Sequence, residues 1–209
     1  MTKPPSRLHQ RKELLRREII DTAFDCFAEK GYHATGIADI ATRLSIGHGT
    51  FYRYFANKRD IVDHVIDEVS ARIFGALDRD LEPDSPATLA EYVAMVDRVA
   101  DSLGRVLLAD PRTARLLLFH ATGIDDELTE RVYGLLDATE ILVRQYLEHG
   151  VRVGYLRADI DTAGTAKATL GMVVAGLISA IRTPDAASMA VYSHAVRRLL
   201  IEGVAVAAR

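Results

Sequence analysis

The sequence predicts an all-α protein with an N-terminal three-helix helix-turn-helix domain and a larger helical C-terminal domain. Apolar residues recur at helical spacing from Leu15 to the C-terminus, without long strand-like alternation or an internal repeat. A chain of 209 residues can form one large domain or a small domain joined to a larger one. We divide the chain into a basic arm at residues 1–13, the helix-turn-helix domain at 14–60 and the larger helical domain at 61–209.

The helix-turn-helix plan comes from the first 77 residues. A first helix is expected over residues 14–30, followed by a second in IADIATRL, where Thr35 can accept from a free backbone N–H. A short third helix is expected from His48 to Phe55 and a long one from Lys58 to Leu77. Two short helices joined by a tight turn behind a longer one form this motif. The buried stripe of the first helix is Ile19, Ile20, Ala23, Phe24 and Phe27.

The remaining chain reads as a helical body. Beyond a proline-containing linker at 82–86, helices are expected near 86–108, 111–121, 125–149, 161–182 and 185–207. The longest loop spans residues 150–161 and turns at Gly154. The apolar run 168–181 is shorter than the roughly 18 residues that cross a bilayer, so we expect a buried helix there.

Composition limits the cellular setting. Hydrophobic residues make up 49% of the chain and charged residues 26%, the balance of a soluble globular protein. Cys26 is the only cysteine, so no intramolecular disulfide can form, and the basic N-terminus lacks a signal-peptide pattern. We therefore expect a cytoplasmic protein that does not associate with a membrane.

Charge is distributed unevenly. Residues 1–60 contain 11 Lys and Arg against 7 Asp and Glu, whereas the remainder contains 15 against 22. This asymmetry favours a cationic module that meets a polyanion, although short basic N-termini are common. The arm's cations are expected to contact phosphates or a minor groove, or to form a disordered solubilising tail; they are Lys3, Arg7, Arg11, Lys12, Arg16 and Arg17.

The third helix separates its side chains by face. At 100° per residue, Phe51 and Phe55 share an inward edge, while Gly49 and Arg53 lie on the opposite side. Glycine allows close backbone approach to a DNA groove, and arginine can donate two hydrogen bonds to a guanine edge. Thr50, Tyr52, Tyr54 and Lys58 are placed to reach the sugar-phosphate backbone. Individually, each tyrosine could be packing and the arginine could be solvated; together they indicate nucleic-acid binding.

The segment from Arg17 to Val62, which includes GYHAT, IADIA and GTFYRYFANK, resembles the DNA-binding domain of TetR-family transcriptional regulators. The resemblance implies a homodimer on a palindromic operator, with a small-molecule inducer bound in the larger domain. It implies DNA contacts at Thr35, His48, Gly49, Thr50, Tyr52, Arg53, Tyr54 and Lys58. The family commonly has glycine and serine where this chain has Ser45 and Gly47, so Ser45 is expected to take a less comfortable turn conformation.

The larger domain contains candidate residues for an effector pocket and a dimer interface. The pocket candidates, each of which could instead be ordinary core, are Tyr92, Met95, Val99, Leu103, Leu117, His120 and Tyr133. Their character suggests an apolar or aromatic effector. ATLGMVVAGLISAI is apolar on nearly all sides, which favours a four-helix dimer interface over an intramolecular core. The interface candidates are Gly171, Ala175, Tyr192, Val196, Leu199 and Leu200.

Other functional classes have weaker support. The chain lacks a P-loop, HExxH, GxSxG and paired cysteines, so we expect no enzyme, no cofactor and no metal site. Asp60, His64 and Asp67 share a helix face and could hold a metal in a helical enzyme, but such faces are usually solvated. If the chain were instead a helical ligand-binding or adaptor protein, the net positive charge of residues 1–60 would be unexplained. The sequence therefore favours a DNA-binding transcriptional regulator, a repressor released by a small apolar ligand.

Overall fold

A computed structural model describes residues 6–77, 84–108, 111–183 and 185–205. The helices are α1 (Arg7–Lys30), α2 (Ile37–Arg43), α3 (His48–Phe51), α4 (Lys58–Leu77), α5 (Leu89–Leu103), α6 (Pro111–Arg115), α7 (Asp126–Val153), α8 (Thr162–Arg182) and α9 (Ala186–Val204). Single π-helical turns, Gly104–Leu108 and Leu116–Ala121, continue α5 and α6. Among the residues in these ranges, β-type hydrogen bonding is limited to one isolated antiparallel bridge between Leu156 and Ala205. The predicted all-α fold class is confirmed.

Helix α1 begins at Arg7, seven residues earlier than predicted. Ser6 caps it, because its hydroxyl accepts a hydrogen bond from the backbone N–H of His9 at 3.3 Å. Apolar periodicity gave no sign of these turns, since residues 6–14 are exposed and bury no stripe. Residues 7–13 of the predicted arm are thus helical, and the disordered-tail alternative is wrong for them. Lys3 lies outside the described residues, as do 78–83, which include the start of the predicted linker.

The chain divides into two compact units. The first consists of the residues up to Ala71 together with Arg115–Thr129, and the second of Arg72–Ala114 with the residues from Glu130 onward. Residues 61–71 and 115–129, which the sequence placed with the larger domain, therefore pack in the first unit. Helices α4 and α7 each begin in the first unit and continue into the second.

The core of the first unit is built on α1. All five residues of its predicted stripe are buried, and they share this core with Ile40, Phe51, Ile61 and Leu128. Cys26 is also buried, as expected of a small packing residue, and burial raises the pKa of its thiol. On the outside, Arg43 joins α2 to α1 through Glu29 at 2.8 Å.

The core of the second unit lies where α5 and α7 meet the loop after α7. The buried members of this cluster are Tyr92, Met95, Tyr146, Leu147, Tyr155, Leu156, Ala166 and Val204. Gly154, at φ 95°, makes the predicted turn. The loop then folds back so closely that a Cβ added to Gly150 would lie 2.5 Å from a side-chain carbon of Leu156.

Helix α8 differs from its prediction. It spans Thr162–Arg182, and its length and apolar composition are sufficient to cross a membrane, contrary to the estimate from the shorter run 168–181. Only 17% of its apolar window is buried within the chain, so the expected buried helix is wrong for a single copy. The face of α8 that leaves Gly171 and Ala175 exposed lacks cover among the described residues.

Candidate nucleic-acid interface

The turn between α2 and α3 is held by backbone hydrogen bonds. The N–H of Ser45 donates to the carbonyl of Thr42 at 3.0 Å, and that of Ile46 to Ala41 at 2.9 Å. Ser45 has φ 54°, the only positive φ of a non-glycine residue in the described ranges, which confirms the expected uncomfortable conformation. Gly47 is the N-cap of α3 with φ −73° and ψ 151°, so its predicted capping role is also confirmed.

Two phenylalanines fix this segment to the rest of the unit. Phe51 is fully buried and Phe55 nearly so, with ring centroids 5.8 Å apart. The Phe55 ring packs against His64 of α4, and the Arg16 guanidinium lies 5.4 Å from its centroid. Arg16, predicted as an arm cation for phosphate, is thus engaged within the fold, where its Nη2 lies 3.1 Å from His64 Nδ1.

The opposite side of this segment faces solvent. Regular helix ends at Phe51 rather than at Phe55, and turns continue it through Tyr54. His48, Gly49, Tyr52 and Arg53 are exposed, Thr50 and Tyr54 are half-buried, and Arg53 Nη2 donates to Thr50 Oγ at 3.3 Å. A Cβ added to Gly49 would meet nothing within 4 Å, so packing within the chain does not require glycine there.

Thr35 lies in the interior. Its hydroxyl donates to the carbonyls of Gly31 at 2.8 Å and Cys26 at 3.1 Å, and its side chain is 1% exposed. Gly36, and not Thr35, is the N-cap of α2, and Asp39 accepts a hydrogen bond from its N–H at 2.7 Å. The capping role predicted for Thr35 is therefore wrong, and the side chain is buried rather than exposed for the predicted DNA contact. It joins the end of α1 to the start of α2 instead.

Lys58 also differs from its prediction. Its ammonium group donates to the carbonyls of Tyr32 at 2.8 Å and Thr35 at 2.9 Å, and it lies 4.1 Å from the centroid of the Tyr32 ring. Backbone carbonyl oxygens accept hydrogen bonds from an ammonium group, and the aromatic face adds to that attraction. The phosphate contact predicted for Lys58 is replaced here by a contact that stabilises the α1–α2 connection.

Arg59 is a residue whose role the sequence reasoning missed. Its guanidinium makes a two-pronged ion pair with Asp125, lies 2.5 Å from Asp63 and reaches Glu127 at 3.4 Å. The pair with Arg59 holds the pKa of the Asp125 carboxyl below its usual range. Asp125 also accepts from the N–H of Leu128 at 2.8 Å, which caps α7. Because 66 residues separate the partners, no local sequence signal could have joined them.

The predicted pocket residues do not come together as one set. Tyr92, Met95 and Val99 lie in the cluster of the second unit. Leu117 is buried in the first unit, Leu103 is half-buried, Tyr133 is 51% exposed, and the side chain of His120 lies outside the described residues. Burial raises the pKa of Tyr92 to about 12. The reasoning missed Tyr155, whose buried hydroxyl has no hydrogen-bond partner in the described ranges.

The predicted dimer residues divide into two groups. Tyr192 packs within the chain, because its ring occupies the space of a Cβ on Gly176 and its hydroxyl donates to the carbonyl of Met172 at 2.5 Å. It therefore joins α9 to α8 within one copy. Gly171, Ala175 and Leu199 are exposed, and Val196 and Leu200 are half-buried.

Comparison with known proteins identifies the recognition segment. Residues 19–65 match the family described as "Bacterial regulatory proteins, tetR family". The "Fatty acid metabolism regulator protein" of Bacillus subtilis is 24% identical over 187 residues, which cover 90% of this chain and 94% of that protein. The "HTH-type transcriptional repressor Rv3405c" of Mycobacterium tuberculosis is 35% identical over 96 residues, 46% of each chain.

The fold has a counterpart among solved structures. The crystal structure of the transcriptional regulator FadR from Bacillus subtilis in complex with stearoyl-CoA superposes with a TM-score of 0.73 at 23% identity. The superposition covers 90% of this chain and 98% of that one. Together with the match to the recognition segment, these likenesses confirm the resemblance read from GTFYRYFANK and its neighbours: residues 19–65 match the TetR family of transcriptional regulators, and the chain shares the fold of such a regulator.

Proposed function

We propose that this transcriptional regulator is a cytoplasmic repressor that binds a palindromic operator as a homodimer and leaves it when a largely apolar ligand binds. The observation that carries the DNA-binding part is the exposed surface of His48, Gly49, Tyr52 and Arg53, held from behind by buried Phe51. The second unit then holds the effector and the dimer contacts, an assignment supported by its aromatic core and its uncovered helices.

Arg53 is the base-reading residue of this proposal. Its planar guanidinium can donate two hydrogen bonds to a guanine edge, while Thr50 accepts from Nη2 and restricts the side chain. The missing side chain of Gly49 lets the backbone approach the groove. His48, Tyr52 and Tyr54 then contact phosphates, which set position rather than sequence preference. Thr35 and Lys58 contribute indirectly, since both hold the α1–α2 connection.

An apolar effector is supported by the cluster around Tyr92, Met95 and Tyr155 and by the relative whose structure holds stearoyl-CoA. That ligand joins a long apolar acyl chain to the polar, phosphate-bearing CoA group, and the apolar chain is the part that this cluster suits. The unpartnered hydroxyl of Tyr155 can supply one hydrogen bond to a polar group. Release from DNA requires that the ligand bind the DNA-free conformation more tightly, because equal affinity for both conformations shifts nothing.

Homodimerisation is supported by the apolar surface of α8 and α9. Only 17% of the apolar window of α8 is buried, and Leu199 of α9 is 66% exposed. Large exposed apolar patches are uncommon on monomers, and a second copy related by a twofold axis can cover them. Gly171 and Ala175 allow close approach of the helices. A twofold dimer also matches a palindromic operator.

A single experiment tests repression and induction together. The protein's own upstream DNA is titrated in a gel-shift assay, and a thermal-shift screen of fatty acids, acyl-CoAs and aromatic metabolites identifies ligands. We expect a salt-sensitive specific complex and a ligand that both raises the Tm and releases the DNA. A ligand that raises the Tm but leaves the complex intact would contradict the proposed induction.

Light scattering at micromolar concentration tests the dimer. The wild type is expected to have twice the mass of one chain, and Leu199→Glu is expected to shift it toward the monomer, because a charge is then buried in an apolar interface. Tyr133→Glu, on another exposed side chain, is the matched control and should stay dimeric. A monomeric wild type would refute this part of the proposal.

A further inference from the structure

Arg16 of α1 and His64 of α4 meet beside the ring that ends the α3 segment, residues 48–55. The Nη2 atom of Arg16 lies 3.1 Å from Nδ1 and 3.2 Å from Nε2 of His64. The guanidinium carbon of Arg16 is 5.4 Å from the centroid of the Phe55 ring, and the His64 ring meets that ring edge-on at 5.4 Å. Phe55 is 1% exposed. Side chains of both α1 and α4 therefore hold the last aromatic ring of the α3 segment.

The position of Phe55 determines the position of the surface proposed to read DNA. Its ring packs on that of Phe51, and its backbone N–H donates to the Phe51 carbonyl at 3.2 Å. Arg53 lies in the short turn between these two phenylalanines. A displacement of Phe55 therefore moves the side chain assigned to base reading. Two hydrogen bonds to one guanine edge tolerate little displacement, because such bonds weaken steeply with distance and angle.

The contact between Arg16 and His64 requires a neutral imidazole ring. A guanidinium group donates hydrogen bonds and cannot accept them, so the ring nitrogen that accepts from Arg16 must lack a proton. A ring protonated on both nitrogens would place two positive charges at hydrogen-bond distance. The Oδ1 atom of Asp60 lies 3.7 Å from His64 Nε2 and can pair with the protonated ring. Protonation thus exchanges a contact between helices for a contact within α4.

The charged groups around the ring come from two helices. Arg16 faces it from α1, and Asp60 faces it from the preceding turn of α4. The other carboxylate oxygen of Asp60 accepts from the backbone N–H of Ala56 at 2.7 Å, so this carboxylate is already fixed beside the ring. Asp67 and Glu68, in the following turn of α4, have interactions of their own. The α3 segment presents the uncharged ring of Phe55.

We propose that His64 is a positioning residue for DNA binding: the neutral ring accepts a hydrogen bond from Arg16 and holds the α3 segment through Phe55, and protonation releases it. This inference rests on the proposed DNA-binding function and goes beyond it, because it makes operator affinity depend on pH. Histidine is the side chain whose charge ordinarily changes between about pH 5 and pH 8. Acid adds positive charge, which by itself strengthens binding to DNA. Release of Arg16 acts in the opposite direction.

The test compares DNA binding at about pH 7.5 and about pH 5.5, on either side of an ordinary histidine titration, at one ionic strength. Fluorescence anisotropy gives the Kd of wild type and His64→Gln for the upstream DNA. Glutamine keeps an acceptor for Arg16 but cannot gain a charge. We expect the ratio of the wild-type Kd to the His64→Gln Kd to rise roughly tenfold at the lower pH, as for a lost hydrogen bond to a charged group. His64→Lys, charged throughout, should bind weakly at both pH values.

Two further variants identify the groups responsible. Arg16→Gln removes the charged donor and should abolish the same loss of affinity in acid, which keeps the test valid if His64→Gln folds poorly. His33→Gln makes the matched change at an exposed histidine of the same unit and should retain the pH profile of wild type. Circular dichroism at both pH values checks that each variant is folded.

Amide hydrogen exchange of residues 48–55, corrected for the intrinsic rate at each pH, reports on the α3 segment without DNA. We expect protection to fall at the lower pH in wild type but not in His64→Gln. Equal pH profiles of affinity in wild type and His64→Gln would overturn the inference. If no specific complex forms but wild type alone loses protection in acid, the positioning role stands and the operator proposal falls. Equal protection in the two proteins without DNA binding would remove both claims.

Discussion

Ser45 marks the residue at which this recognition motif departs from its family. It takes the left-handed conformation that glycine adopts without a Cβ clash, while Gly47 occupies the cap position that suits serine. The backbone therefore forms the turn even though serine stands at position 45 and glycine at position 47. The strain resides in the turn that leads into α3, whose surface is proposed to read DNA, so it bears on both stability and the placement of α3.

Ser45→Gly is expected to raise the free energy of unfolding by about 0.5–1 kcal/mol, because relief of the left-handed strain outweighs the added flexibility of the unfolded chain. Urea unfolding measures the change. Gly47→Ser is the companion control: nothing lies within 4 Å of an added Cβ, and it should gain only a few tenths of a kcal/mol. A destabilised Ser45→Gly would contradict this account of the turn.

We expect Lys58 to contribute mainly to the stability of the fold rather than to DNA binding. Lys58→Met keeps the apolar stem but leaves two carbonyls without their donor, which should lower the free energy of unfolding by about 1–2 kcal/mol. Chemical denaturation measures this loss, and the salt slope of DNA binding is measured in parallel. Unchanged stability with a slope lower by about 0.9 would instead restore the direct phosphate contact.

Local pattern predicted the division of the recognition residues well. Helical periodicity alone placed Phe51 and Phe55 inward and Arg53 outward, and the structure confirms this. The contacts that Thr35 and Lys58 make within the chain were not predicted, because their partners lie in the α1–α2 connection and are set by tertiary geometry. A periodic pattern predicts which face of a helix a side chain lies on, but it does not predict which backbone carbonyl groups will accept hydrogen bonds from that side chain.

At the scale of helices, the ends were harder to predict than the cores. The stripe of α1 was predicted in full, but its start at Arg7 was missed because exposed polar turns have no apolar period. The assignment of residues 115–129 was likewise missed, since it depends on contacts such as that of Arg59 with Asp125. That ion pair connects the first residues of α4 to the start of α7.

Substitutions at Asp125 should weaken this connection in steps. Asp125→Asn can still cap α7 through Leu128 but loses the charge that holds Arg59, whereas Asp125→Ala loses both. We expect the Tm at pH 7 to fall from wild type to Asn and further to Ala, with Glu127→Gln close to wild type. Because the folded pKa of Asp125 is lowered, its contribution is present above about pH 4 and is lost as pH falls further. Equal effects at pH 3 and pH 7 would contradict this.

Tyr92 should give the second unit a dependence on alkaline pH. Its folded pKa is raised to about 12 by burial, whereas the unfolded chain ionises near 10. The raised value means that its contribution is full below about pH 10 and is lost as pH rises toward 12. Urea unfolding of wild type and Tyr92→Phe should therefore give a difference in stability that is constant up to pH 9.5 and changes above it. A constant difference throughout would refute the assignment.

For the whole molecule, charge and apolar surface indicate two different partners. Residues 1–60 are net cationic and carry the exposed recognition residues, whereas the acidic remainder contains α8 with little of its apolar window buried. The first feature suits DNA and the second a further copy of the chain. Sequence composition predicted both surfaces, but the lack of cover over α8 could be seen only once the other helices were placed.

Arg53→Ala is the most direct test of the central claim that the surface of α3 reads DNA. Fluorescence anisotropy on the upstream DNA and on a scrambled duplex gives the specificity ratio for wild type and variant. We predict that the variant loses about 1–3 kcal/mol of binding to the upstream DNA, while its binding to the scrambled duplex changes little. An equal specificity ratio in wild type and variant would contradict the claim.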